Sequence, residues 1–214
     1  LFDGVDLNRN FGYMWGYNNA GSSPDTRSDT YRGTAPFSEP ESQAIRDLVQ
    51  NHRFITSLSF HSYGRLWLYP WGYTATPLEE PYRSVFVAIA DSCVAYNGYS
   101  PGNYSTGTIY QVNGDTVDCL FGEAGIFAFT PEVGSIEEGR FWPDTSLIEP
   151  LILENLGSCI YMTYVAGEEP IVHHRPIPDF EMPYRSYPLE VDIHKPIVLT
   201  EEIPLDQESF QVFF

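Results

Sequence analysis

The 214-residue chain has a single lysine, Lys195, and only 11 basic residues against 29 acidic ones, for a net charge of -18. A phosphate backbone or an anionic bilayer would be repelled by such a surface, so nucleic acid and membrane surfaces are not expected as partners. No apolar run approaches the roughly 18 residues of a membrane-spanning helix. Cysteine is scarce too. Cys93, Cys119 and Cys159 form no CxxC pair and no metal-ligand spacing, and an odd number cannot pair completely within one chain, so all three read as small buried hydrophobes. No internal repeat is present.

Aromatic residues, by contrast, are plentiful at 15%, with 43% hydrophobic residues in all, enough to fill the core of one full domain and an appendage. High acidity combined with many Gly, Pro, Tyr and Asn residues fits a secreted bacterial or environmental protein. An extracellular location is therefore expected, with the periplasm or cell surface as alternatives.

Residues 18–40 are rich in turn formers and read as a long ordered loop. Ser38 and Glu41 have the spacing of a capping box ahead of a helix whose stripe is Ala44, Ile45, Leu48 and Val49. "FITSLSFH" (54–61) reads as a buried strand. A helix is expected over 78–96, with acidic residues in its first turn and Val85, Ile89 and Cys93 on one face. "GIFAFTPEVG" (125–134) is a second apolar strand, and a third helix spans about 148–165. Strands alternating with helices imply an α/β fold, a sheet flanked by helices, whose site lies beyond the carboxyl ends of the strands. After Gly167 the composition changes. Residues 168–214 hold seven prolines and strand-like patterning, and read as a Pro-rich acidic linker with the first strands of a β-sandwich-like domain, or else as an extension packed on the first domain.

Polar groups placed against this framework define a candidate site. His61 and Glu132 both close apolar strands. A neutral imidazole there can ligate a metal or act as a base. A carboxylate after "FAFT" must meet a cation, hydrogen-bond donors or a cavity, and beside a metal-bound water it is the usual general base. In "GVDLNRNFGY", Arg9 flanked by Asn8 and Asn10 forms a planar fork of donors suited to gripping a carboxylate at two points. Tyr110 stands in a glycine-containing loop, "TGTIYQVNGDTVD", suited to a mobile cover.

The ordered series "GVDLNRNF", "YRG…PFSEPE", "HSYGRLWLYPWGY", "TIYQVNGDTVD", "FTPEVGS" and "GRFWP" closely resembles the zinc carboxypeptidases of peptidase family M14, in the branch of the digestive carboxypeptidases and their bacterial relatives, over about residues 4–165. The resemblance implies a mixed β-sheet flanked by helices and residues 1–167 as the C-terminal part of the catalytic domain. It implies one zinc ion with His61 as a ligand and Glu132 as general base. Asn8 and Arg9 would hold the substrate's terminal carboxylate, Tyr110 would close over it, and Ser62 and Tyr63 would line the cleft. Val117 would floor the pocket for the terminal side chain, favouring apolar or aromatic residues, with a mixed preference left open by Asp115 and Asp118. Peptide or protein C-termini are the expected substrates and a monomer the expected state. Cell-wall peptide hydrolysis and non-catalytic binding of chain ends are the competing readings.

Two of the three expected zinc ligands, a His-x-x-Glu motif upstream of "NRN", do not occur: His52, His173 and His174 lack a glutamate three positions on. The arginine expected shortly upstream is missing as well. The chain is thus expected to be a fragment of a longer gene product, inactive alone, rather than a degenerate homologue, because Arg9, His61, Tyr110 and Glu132 all persist. Reading the gene upstream should reveal the His-x-x-Glu motif, and a frame without it would sink the peptidase reading in favour of a binding module.

Overall fold

The computed structural model describes residues 4–167, so the expectation for 168–214 lies outside the described residues. Four strands form a mixed sheet: β1 (Thr56–Leu58), β2 (Leu66–Leu68), β3 (Ser100–Gly102) and β4 (Phe127–Glu132), in the order β1-β4-β2-β3. β1 runs parallel to β4, β4 antiparallel to β2, and β2 parallel to β3. The helices are α1 (Pro40–Asn51), α2 (Tyr82–Asn97), α3 (Thr116–Ala124) and α4 (Ile148–Val165). The mixed sheet flanked by helices is the fold class expected.

β4 shows why its sequence is a continuous apolar run rather than an alternation. Phe127 and Phe129 enter one core with Trp67, Phe86, Ile89, Cys93, Met162 and Val165, whereas Ile126 and Ala128 enter a second with Val117 and Leu120. A strand covered on both faces has no polar side to show. Phe86 centres the first core, its ring 4.9 to 6.0 Å from those of Phe121, Phe127, Phe129 and Tyr69. α2 buries Val85, Ile89 and Cys93 as their spacing requires, and α4 spans its expected residues. Cys93 and Cys119 are buried and Cys159 is half-buried, in keeping with their reading as small hydrophobes.

Three local features differ from the sequence reading. The capping box does not form: α1 starts at Pro40 with Glu39 as its N-cap, and the Ser38 hydroxyl donates to Glu39 Oε1 (2.7 Å). Proline at the first helical position puts the N-cap at Glu39, one residue beyond Ser38. Glu79 and Glu80 precede α2 instead of occupying its first turn, because the helix begins only after Pro81. α3 was not read from the sequence, whose loop "TGTIYQVNGDTVD" ends inside the helix's first turn. Nine residues long and buried nearly all round, it presents no amphipathic stripe. Its signals are terminal: Asp115 caps the N-terminus by accepting from Asp118 N–H (2.8 Å), and Gly125 ends the helix at φ 66°.

Asp115 and Asp118 are both buried. Burial pushes the Asp115 carboxyl up to about 6, opposed by the Asp118 N–H and the charge of Arg9. Asp118 is raised further by burial and by repulsion from Asp115, against the pull of the Gly72 and Tyr73 N–H groups. The folded chain therefore holds protons that unfolded carboxyls, with values of about 3.9, release. The pair's contribution to stability is fullest below that value and is lost as pH rises through about 6. The thermal midpoint should fall as pH rises from about 4 through about 6, and Asp115→Asn, which keeps a good N-cap, should flatten that fall. An equally steep fall in the variant would exclude the pair as its source.

Candidate active site

Parallel pairing of β1 and β4 continues past the regular strands. Ser59 N–H donates to Phe129 O (2.9 Å), His61 N–H to Pro131 O (2.9 Å), and Val133 N–H to His61 O (2.8 Å). His61 and Glu132 thus sit side by side at the carboxyl end of two parallel strands. Both side chains are half-buried. Burial lowers the imidazole's proton affinity and Arg9 lowers it further, while Asp6 opposes them, so the ring is neutral, with Ser59 Oγ 3.2 Å from Nε2. Burial pushes Glu132 up to about 7, with Arg9 pulling the other way.

Arg9 lies in a 3-10 turn, Leu7–Arg9, capped by Asp6, which accepts from Asn8 N–H (3.0 Å). Arg9 is only 5% exposed. Nη1 donates to Asn8 O (2.9 Å) and stands 3.8 Å from Asp6 Oδ2, while Nε has no partner among the described residues. A buried donor without an acceptor is costly, and here it belongs to a cation whose field reaches both His61 and Glu132. Asn8 accepts through Oδ1 from Thr116 N–H (2.9 Å) and Oγ1 (2.8 Å), which fastens it to the start of α3 and turns its amide nitrogen away from the helix.

Asn10, the third member of the fork read from sequence, does not belong to it. It is fully buried and saturated: Nδ2 donates to Arg32 O, Ala35 O and Ser38 Oγ, and Oδ1 accepts from Glu39 N–H and Ser42 Oγ. Ser62 is exposed, and Tyr63 packs edge-on against Phe141 with ring centroids 4.9 Å apart. Val117 is buried in the first turn of α3, next to the residue that anchors Asn8. Tyr110 is 65% exposed on its own loop. Asp6 was missed by sequence reasoning, although an aspartate two positions before Asn8 is a recognisable turn cap.

Residues 2–158 match the zinc carboxypeptidase family, peptidase M14. The chain belongs to this family. Carboxypeptidase B of Astacus astacus is 36% identical over 138 residues, covering 61% of this chain and 44% of the relative. Carboxypeptidase A1 of Rattus norvegicus is 38% identical over 136 residues, covering 61% of this chain and 32% of the relative. The chain therefore spans less than half the length of these curated relatives. Among solved structures, bovine thrombin-activatable fibrinolysis inhibitor, in complex with tick carboxypeptidase inhibitor, superposes with a TM-score of 0.69 at 24% identity, over 76% of this chain and 57% of that one. Carboxypeptidase A from Helicoverpa armigera superposes with a TM-score of 0.63 at 29% identity, over 76% and 42%.

The family implies zinc, and a catalytic zinc takes three protein ligands. Among the described residues no three His, Cys, Asp or Glu side chains converge to hold a metal. His61 and Glu132 meet at the strand ends without further donors of the needed type, so the described residues do not make a complete zinc site. Metal analysis of the chain after zinc loading and gel filtration should find well under one ion per chain. One tightly held zinc per chain would overturn that donor count.

Proposed function

We propose that residues 1–167 are the C-terminal part of the catalytic domain of a secreted, monomeric zinc metallocarboxypeptidase, which removes the last residue of peptides. The observation that carries this reading is the buried Arg9 guanidinium. Its Nε has no acceptor among the described residues, and its charge acts on the carboxylate and imidazole at the strand ends. A peptide's terminal carboxylate can pair with this guanidinium, and Asn8, held by Thr116, stands beside Arg9 to donate a second bond. Endopeptidase substrates offer no such anion.

The division of labour follows from these positions. Arg9 and Asn8 measure the distance from the chain end to the scissile bond, a form of positioning that lowers the entropic cost of reaction. Glu132, at about 7, can accept a proton near neutral pH and return it to a leaving amine. Tyr110 covers the bound end, and Ser62 and Tyr63 line the approach. Val117, buried with Leu120, Ile126 and Ala128, favours an apolar or aromatic terminal residue. His61 is the one residue of the proposed site assigned to the family's zinc. The chain by itself, without a complete ligand set, binds chain ends and does not cleave them.

Calorimetry can test the clamp on the full chain. N-benzoylglycyl-phenylalanine should bind, its C-terminal amide should not, and Arg9→Gln should weaken the acid at least about tenfold, as expected for a charged hydrogen bond. In the longer protein, Glu132→Gln should lower kcat by about 100-fold or more with KM little changed. Equal binding of acid and amide would refute the exopeptidase assignment.

A further inference from the structure

The loop that carries Tyr110 is hung at both ends from one short segment. At its start, buried Asn103 donates through Nδ2 to Pro70 O (2.8 Å). At its end, Gln111 Nε2 donates to Tyr73 O (2.6 Å) and Val112 N–H to Gly72 O (3.0 Å). Within the loop, Gly107 N–H donates to Tyr104 O and Thr108 N–H to Asn103 O, closing its first half on itself. Ile109 and Tyr110 are then the two residues between bonded Thr108 and bonded Gln111. With so little slack, the position of residues 70–73 decides where the tyrosine starts.

Beside the ring packing of Trp71 and Tyr73 on Tyr13, the backbone N–H groups of that segment rest on one side chain of α3. The Asp118 carboxylate accepts from Gly72 N–H through both oxygens, 3.0 Å each, and from Tyr73 N–H at 3.0 Å. Both oxygens of this carboxyl face those backbone donors, so each can accept there. Asparagine would turn an NH2 group toward one of those donors. The same helix holds Asn8 through Thr116, two residues earlier. The carboxylate clamp and the support of the tyrosine loop are thus referenced to a single element.

We propose that Asp118 is a positioning residue for Tyr110, acting through Gly72 and Tyr73 on both stems of the loop 103–112. The function served rests on the carboxypeptidase reading, in which Tyr110 covers a bound chain end. The fold accepts a buried acid next to a second one, Asp115, to obtain this support.

The test compares Asp118→Asn and Gln111→Ala in the full chain, each alone and combined with Tyr110→Ala. It reads backbone hydrogen exchange in 103–112 and the affinity for N-benzoylglycyl-phenylalanine. Both single variants should speed exchange in the loop while β4 and α2 stay protected. Both should weaken the probe about fivefold, the size of one neutral hydrogen bond. In the Tyr110→Ala background neither should weaken it further. The same loss with or without the tyrosine, or unchanged loop exchange, overturns the proposal. If Asp118→Asn fails to fold, Gln111→Ala still cuts the link between the support and the loop and decides the matter by the same two readings. A wild-type chain that ignores the probe, with Arg9→Gln equally inert, defeats the carboxypeptidase reading instead, and the support is then judged on loop exchange.

Discussion

Everything at the polar end of this molecule depends on the parallel pairing of β1 with β4 continuing for one bridge beyond the regular strands. Parallel strands carry side chains at matched heights, so a residue that ends one strand stands beside the residue that ends the other. The bonds from His61 to Pro131 and from Val133 back to His61 hold the imidazole and the Glu132 carboxylate in register. The aromatic packing around Phe86 serves this end by fixing β4, which is covered on both faces. A core with one open side would leave the strand free to slip, and slipping by one residue would turn Glu132 away.

The second organising element is α3. It is short and offers little apolar area of its own, yet three polar connections pass through its first turn. Asp115 caps it, Thr116 holds Asn8, and Asp118 holds the backbone at Gly72 and Tyr73. Segments distant in sequence, Leu7–Arg9 and 70–73, are thereby placed relative to one frame. Buried polar groups with fixed bond directions locate neighbours more narrowly than apolar contact does, at a cost in desolvation.

How much of this was legible beforehand depended on the kind of signal. The residues of β4 and α4 stood out because long apolar runs of the right length carry their own evidence. His61 and Glu132 were legible as polar residues closing such runs. β2 and β3 were not, since three-residue strands leave no periodicity, and Pro101 in an edge strand reads as a break. α3 was hidden because burial on all sides erases amphipathicity. The inner part of the site was hidden for another reason. Asp6, Asp115 and Asp118 are ordinary acidic residues in a chain with 29 of them, and only the fold distinguishes the few that are buried or bonded. Asn10 shows the opposite error: proximity to Arg9 in sequence implied a shared task that the backbone turn does not allow.

Asn10 has a consequence of its own. Its amide uses both ends, three acceptors on the nitrogen and two donors on the oxygen, drawn from residues 32 to 42. Aspartate could answer the donors but would repel the carbonyls, and leucine of similar volume could answer neither. Arg9 takes its bearing from the residue that follows it, and that residue is moored to the start of α1. The loop 32–39, which bonds Asn10 and carries no residue of the proposed site, is therefore part of what aims the guanidinium. Variation in that loop would be felt as a change in grip.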